Sequence, residues 1–314
     1  MNPIETSADL SRGGSRSFGR FGVPVLAGLT GLLLVLVAFL FGAILIEGGH
    51  GLRPGFVFGG TSEGLFDPHK TGVFPMIFGT SALVILMTVF VVPLGVITGI
   101  YLQEFASPVS RLAGATRLAV KHLAGIPSIV FGLFGLGFFV HFLGGGLDRI
   151  GGATEPVWGK PGLIWAALTM AVLTVPVVVV STEEALRSVP DSIRDAGLSL
   201  GATRLETLRL AVLPQAAPGI LTGGMLAVSR GAGEVAPILF VGAAFSAPLP
   251  NSLNDQFMEL GYHIFVLSTQ SPDVDRTRPL LFATACVLLV LTFALNFTAI
   301  WVRMNLRARM RPLH

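Results

Sequence analysis

Long apolar runs dominate the hydrophobic pattern of this chain, in place of the two-residue alternation of a strand or the narrow stripe of a surface helix. Six segments are long enough to cross a bilayer, which takes about 20 mostly apolar residues: 21–46, 73–102, 123–143, 162–181, 215–244 and 279–302. Four of them carry no charged residue or histidine. Backbone in hydrocarbon must satisfy its own hydrogen bonds, so these runs predict helices. The pattern changes most over 182–214, TEEALRSVPDSIRDAGLSLGATRLETLRLAVLP, where charged and apolar residues mix. Two short helices are expected there. Ser188-x-x-Asp191 with Pro190 in the first turn reads as a capped helix start, and Gly201 as a stop. Thr203-x-x-Glu206 repeats the cap, Leu205, Leu208 and Val212 share a face, and Pro214 ends the second helix. The expectation is an all-α integral membrane protein with six transmembrane helices. One membrane domain over 21–302 is flanked by a segment 1–20 and a tail 303–314.

Composition supports the membrane reading. The 314 residues are 52% hydrophobic and 12% charged, whereas soluble domains carry about 25% charge. The first run exceeds the 7–15-residue core of a secretory signal and follows Arg12, Arg16 and Arg20, so it reads as a retained span. Residues 1–20, 103–122, 182–214 and 303–314 hold fourteen of the 21 lysines and arginines, and the alternate loops (47–72, 144–161, 245–278) hold six. Basic loops stay in the cytoplasm, which places both termini and 182–214 inside. The pI of about 9.5 and net charge of +3 come from this bias and from the tail RMNLRARMRPLH, which suits lipid headgroups. No nucleic-acid partner is expected. Cys286 is the sole cysteine, so no internal disulfide forms. The outer loops are too short for separate domains. Gly125, Gly132, Gly135 and Gly137 in the third run suit close helix packing or a backbone-lined path. Pro93, Pro176 and Pro237 fall inside the second, fourth and fifth runs, where each deletes a backbone hydrogen bond.

The fifth run holds the chemistry. LTGGMLAVSRGAGEVAPILFVGAA carries Arg230 and Glu234, and a charge at the bilayer centre costs about 2.5–3.5 kcal/mol. Such groups face a bundle interior or a water-filled path. On a continuous helix their i, i+4 spacing puts them within reach of each other. Two readings follow: a self-neutralising structural pair, or an arginine that meets an anion in passage while Glu234 keeps it from being held too tightly. No G-x-x-x-x-G-K-[ST] motif occurs, so this chain is not an ATP motor. The histidines (His50, His69, His122, His141, His263, His314) are scattered, and no metal site is expected. Glu183 and Glu184 point to different faces and read as a solvated helix entry. Asn296 and His141 read as polar contacts between helices. The mixed loop either folds back on the bundle or presents Ile193, Leu200 and Leu205 to a groove on a partner.

Spacing in that loop carries a resemblance. Asp195-Ala196-Gly197, three residues, Gly201, nine residues, then Ala211-x-Leu213-Pro214 resembles the EAA loop of ABC importer permeases, E-A-A, three residues, G, nine residues, I-x-L-P. Asp195, Gly197 and Ala211 depart from that pattern, and Asp195 keeps the acid. GIPSIVFGLFG, LTVPVVVVSTEEALRSVP, RGAGEVAPILF and HIFVLSTQSP extend the likeness to phosphate ABC importer permeases of the PstA type. The resemblance implies a type I ABC importer permease fold with a cytoplasmic coupling-helix loop, in a bacterial inner membrane. Asp195, Ala196, Gly197, Gly201, Leu213 and Pro214 would couple to the ATPase subunit, and Arg230 and Glu234 would border the phosphate path. Implied partners are a second permease of the PstC type, two copies of a PstB-type ATP-binding subunit and an exterior PstS-type phosphate-binding protein. No cofactor would sit in this chain, and ATP and magnesium would sit on the partner. Sulfate, molybdate and phosphonate stay open as cargo. A self-sufficient carrier or channel is the rival mode, and a membrane-embedded enzyme lacks any nucleophile–base constellation.

Overall fold

A computed structural model describes residues 7–61, 66–67, 71–107 and 109–309, with side chains from 24 onwards except those of 302 and 306–309. In chain order the helices are α1 (Ser7–Gly49), α2 (Pro54–Phe58), α3 (Phe74–Ile100), α4 (Arg111–Leu123), α5 (Ser128–Phe134), α6 (Gly145–Gly151) and α7 (Leu163–Arg187). They continue with α8 (Asp191–Ser199), α9 (Arg204–Thr207), α10 (Leu213–Gly231), α11 (Leu260–Thr269) and α12 (Val274–Arg309). Three π-helical stretches join them: Tyr101–Phe105 extends α3, Gly135–Gly144 links α5 to α6, and Leu208–Val212 links α9 to α10. Among the described residues six stretches are long and apolar enough to cross a membrane: Pro24–Gly49, Phe74–Phe105, Ser128–Gly151, Leu163–Arg187, Arg204–Gly231 and Val274–Asn305.

Several boundaries differ from expectation for identifiable reasons. The segment expected as a polar lead is already helical from Ser7, and the tail is helical to Arg309; residues 1–6 and 310–314 lie outside the described residues. The third crossing starts at Ser128, because Leu123 closes the amphipathic α4 and Pro127 disfavours helix at the residue before it. The fifth run is not one span over 215–244. Its helix ends at Gly231, since Gly231 and Gly233 weaken it and the Pro237 ring would clash with the carbonyl of Gly233. Pro237 therefore lies beyond the helix, whereas α3 and α7 continue through Pro93 and Pro176.

The apolar residues after Gly231 fold back into the bundle, where Ile238, Val241, Phe257 and Met258 are buried. Their carbonyls meet a specific need. The first amides of a helix have no partner within it, and those at the start of α7 donate to this segment: Gly162 N–H to Val241 O at 2.9 Å, Leu163 to Asp255 O at 3.0 Å, Ile164 to Leu253 O at 2.8 Å. The expected outer loop 245–278 thus contains packed structure, including α11, whose first turn is capped by the Glu259 carboxylate accepting from Tyr262 N–H at 2.6 Å.

α7 is the central helix, buried over 67% of its most apolar window against 33% or less for the other five spans. It packs between α3 and α10 around Met87, Met170 and Val178. Gly95 and Gly99 bring α3 against it: a Cβ on Gly95 would lie 2.6 Å from Val178 Cβ, and one on Gly99 2.7 Å from Thr182 Cβ. This is a small-xxx-small contact. Of the third-run glycines, Gly132 and Gly135 are pressed against Pro237 and Thr169, while Gly125 and Gly137 face no other element. α1 pairs with α12 in antiparallel fashion, from Phe41–Phe293 to the ion pair Glu47–Arg278 at 3.1 Å. Its remaining apolar face is exposed, as suits lipid or a partner subunit.

Candidate functional site

Arg230 occupies the last turn of α10, where a cation meets unpaired carbonyls and the negative end of the helix dipole. Glu234 lies past the helix end, yet the chain turns so that Arg230 Nε donates to Glu234 Oε1 at 3.3 Å. The expected pair forms by this turn, not by the i, i+4 geometry of a continuing helix. Their side chains are 42% and 23% exposed. Only Nε is engaged: both terminal amino groups of Arg230 lack a partner among the described residues. Beside it, Asn296 Nδ2 donates to Ser229 Oγ at 3.1 Å, the contact between helices expected of Asn296. The geometry leaves a guanidinium fork free on one face of a half-exposed site, able to receive two oxygens of one anion.

The loop residues divide into two groups. Asp195, Ala196, Gly197 and Gly201 lie in a hairpin formed by α8 and α9, with Gly201 at φ +83° making the left-handed turn. Thr203 and Glu206 form the expected reciprocal cap. The other expected cap is absent: the Ser188 hydroxyl donates to Ala185 O at 2.8 Å, and α8 starts without a side-chain cap. Leu213 and Pro214 belong elsewhere. Pro214 does not end the second helix, which runs unbroken from Arg204 to Gly231; the π-helical stretch before it absorbs the missing donor. Leu213 packs with Leu186, Leu208 and Val212 at the base of the bundle. Arg230 stands about 25 Å further along the helix at 1.5 Å per residue.

The hairpin both folds back and stands free. Ile193 packs on the bundle, and Gly197 sits so close to Thr207 that a Cβ would lie 2.7 Å from its Oγ1, which accounts for glycine where the family pattern has alanine. Asp195 and Ala196 are exposed, Leu205 is largely so, and Leu200 is 90% exposed.

Two arginines that sequence reasoning missed hold this end together. Arg194 reaches Glu104 with Nη2 to Oε1 at 2.7 Å and Nε to Oε2 at 3.2 Å. It also donates to Val189 O at 2.7 Å, Leu186 O at 2.8 Å and Asp191 Oδ1 at 3.2 Å. The hydrogen bond to Glu104 raises the Arg194 pKa, against the opposing effect of burial. Arg117 on α4 donates to Leu102 O at 2.6 Å and to Glu183 Oε1 at 3.0 Å. Glu183 is therefore a partner in an ion pair and not merely a solvated entry; Glu184 is exposed as expected. The adjacency of Arg194 to Asp195 was a signal in the sequence, but nothing local pairs residues 104 and 194. Among the described residues no group of three or more His, Cys, Asp or Glu side chains is placed to hold a metal; His69 and His314 lie outside them.

Comparison with known proteins bears on this architecture. The profile described as binding-protein-dependent transport system inner membrane component matches residues 91–312. The probable ABC transporter permease protein YqgI of Bacillus subtilis (strain 168) is 30% identical over 293 residues, covering 88% of this chain and 92% of that one. Phosphate transport system permease protein PstA 1 of Mycobacterium tuberculosis (strain ATCC 25618 / H37Rv) is 32% identical over 244 residues, 77% of this chain and 73% of that one. A chain of the MetNI methionine ABC transporter, solved in an inward-facing conformation, is 18% identical with a TM-score of 0.51 over 75% of this chain and 94% of that one, a likeness of fold. The six apolar helices and the extent of these matches establish that this multi-pass membrane chain belongs to the family of inner membrane components of binding-protein-dependent transport systems.

Proposed function

We propose that the chain is a permease subunit of an ATP-driven importer and that its cargo is inorganic phosphate. The observation that carries this reading is the Arg230 guanidinium, half-exposed at the break of α10 with both terminal amino groups unpartnered among the described residues. A permanently protonated planar fork matches two oxygens of a tetrahedral oxyanion. Glu234 holds the third donor and tempers the attraction, so that the anion is released as well as admitted. The phosphate transport name of the mycobacterial relative supports the choice of cargo. No bond is made or broken in this chain, and phosphate crosses unchanged.

One chain supplies one wall of such a path, and a second permease supplies the other. The end carrying α4, α8 and α9 faces the cytoplasm, as the distribution of basic residues implies. There the exposed Asp195, Ala196, Leu200 and Leu205 dock on one of two ATP-binding subunits, which hold ATP and magnesium. An exterior binding protein delivers phosphate to the opposite end.

The test is uptake of labelled phosphate by cells deleted for this chain and complemented with wild type or Arg230→Ala, with labelled sulfate as the control anion. Losing a charge-assisted forked contact of about 1.5–3 kcal/mol predicts a fall of about tenfold or more, with the companion subunits still co-purifying. Full uptake by Arg230→Ala rejects the role of the arginine. Loss of sulfate uptake with phosphate uptake intact assigns another oxyanion.

A further inference from the structure

We infer that Arg194 is the positioning residue that ties the α8–α9 hairpin to α3 through Glu104, and that α3 carries hairpin movement to the Arg230 end of α10. The inference rests on the reading of the hairpin as the ATPase docking element. It begins from how little else holds α8. That helix has no buried residue, and an open cavity of about 360 Å³ lies against it, lined by Gln103, Glu104, Asp191, Arg194, Asp195 and Arg204 among others. Apart from Ile193, which packs on the bundle, α8 can shift toward this cavity without expelling packed side chains.

Arg194 crosses that gap. It engages both Glu104 oxygens, at 2.7 and 3.2 Å, in the forked geometry that fixes orientation as well as distance. With side-chain exposures of 19% and 13%, the pair is screened less than a surface bridge. The same guanidinium donates to the carbonyls of Leu186, which also accepts from Val189 N–H at 3.2 Å, and of Val189, at and just past the end of α7. One side chain thus joins three elements.

Glu104 lies in the π-helical end of α3, a distortion often found at functional positions. Arg117 of α4 holds the same stretch through Leu102 O and is itself tied to Glu183 of α7. Both holds also reach the central helix, Arg194 through Leu186 O and Arg117 through Glu183, and of the two only Arg194 stands on the hairpin. From this joint α3 runs as a continuous helix to Met87, about 25 Å away at 1.5 Å per residue. Met87 fills the space over Gly231: a Cβ there would lie 2.6 Å from its Sδ and Cε. Gly231 is the residue next to Arg230. A rod contacted at both ends is a physical means of coupling two sites.

The experiment uses the assembled complex in nanodiscs, with a fluorophore on Leu226→Cys in a Cys286→Ala background. Variants are Glu104→Gln, which leaves the Arg194 contacts to α7 in place, Arg194→Ala and Arg194→Lys. ATP turnover is read as ADP, because phosphate is both cargo and product. In Glu104→Gln and Arg194→Ala, turnover stays within about twofold of wild type while phosphate moved per ATP falls about tenfold, the scale of a coupling free energy. The fluorescence change on trapping with ATP and vanadate is lost in both, and Arg194→Lys falls between. Unchanged phosphate per ATP and an unchanged fluorescence response in Glu104→Gln overturn the inference. So does a proportional fall of turnover and transport with loss of the ATP-binding subunit, since the pair would then only hold the assembly together. The fluorescence response needs no cargo, so a wild type that moves no phosphate refutes the choice of cargo while the response still judges the link.

Discussion

Gly95→Ala offers a sharp test of how α3 and α7 pack. The added Cβ would stand 2.6 Å from Val178 Cβ and 2.7 Å from its Cγ1, against about 3.5–4.0 Å for two carbons in contact. Relief requires roughly 1 Å of helix separation, because Val178 is fully buried and a valine in a helix has essentially one χ1 rotamer. Such overpacking costs about 1–3 kcal/mol, and the gain in helix propensity from glycine to alanine, about 1 kcal/mol, offsets part of it. Gly28→Ala in α1 is the control, since nothing lies within 4 Å of its Cβ position and only the propensity term operates. The difference between the two variants therefore isolates the clash. Unfolding by SDS titration in mixed micelles reads it, with Gly95→Ala less stable than Gly28→Ala by about 1–3 kcal/mol. Val178→Ala does not rescue it, because the obstructing atom is the Cβ itself; Val178→Gly does. Gly95→Ala is expected to destabilise the wild type and stabilise Val178→Gly, a reversal that a double-mutant cycle measures directly. The same sign in both backgrounds would refute the close packing of these helices.

Gly197→Ala meets the Thr207 side chain at 2.7 Å and is expected to loosen the hairpin, seen as faster amide exchange over α8, with Thr207→Gly in the same chain restoring protection. At the opposite end, Asp148 accepts from the amides of Val157, Trp158 and Gly159 at 3.1, 2.9 and 2.7 Å. Asp148→Ala leaves these donors without that acceptor, at about 1–3 kcal/mol for each one buried. Their exchange is expected to rise by about tenfold or more, while α8 exchange stays unchanged.

The membrane class, the helical content and the hairpin signals at Gly201 and Thr203–Glu206 were legible in the residues because each rests on local physics: hydrocarbon demands internally bonded backbone, and caps and left-handed turns are made by near neighbours. Arg230 and Glu234 could be singled out because two charges in an apolar run are costly wherever it folds. Only the tertiary structure decided the rest. That the chain beyond Gly231 returns so that Val241, Leu253 and Asp255 accept from the first amides of α7 depends on acceptors brought from about eighty to ninety residues away. That Glu104 belongs to Arg194 and Glu183 to Arg117 depends on which helix ends meet. Local sequence sets what each segment can bury and how it can turn. Which charge neutralises a distant one, as Arg194 does Glu104 and Arg117 does Glu183, is settled by chain closure in three dimensions, and no local spacing encodes it.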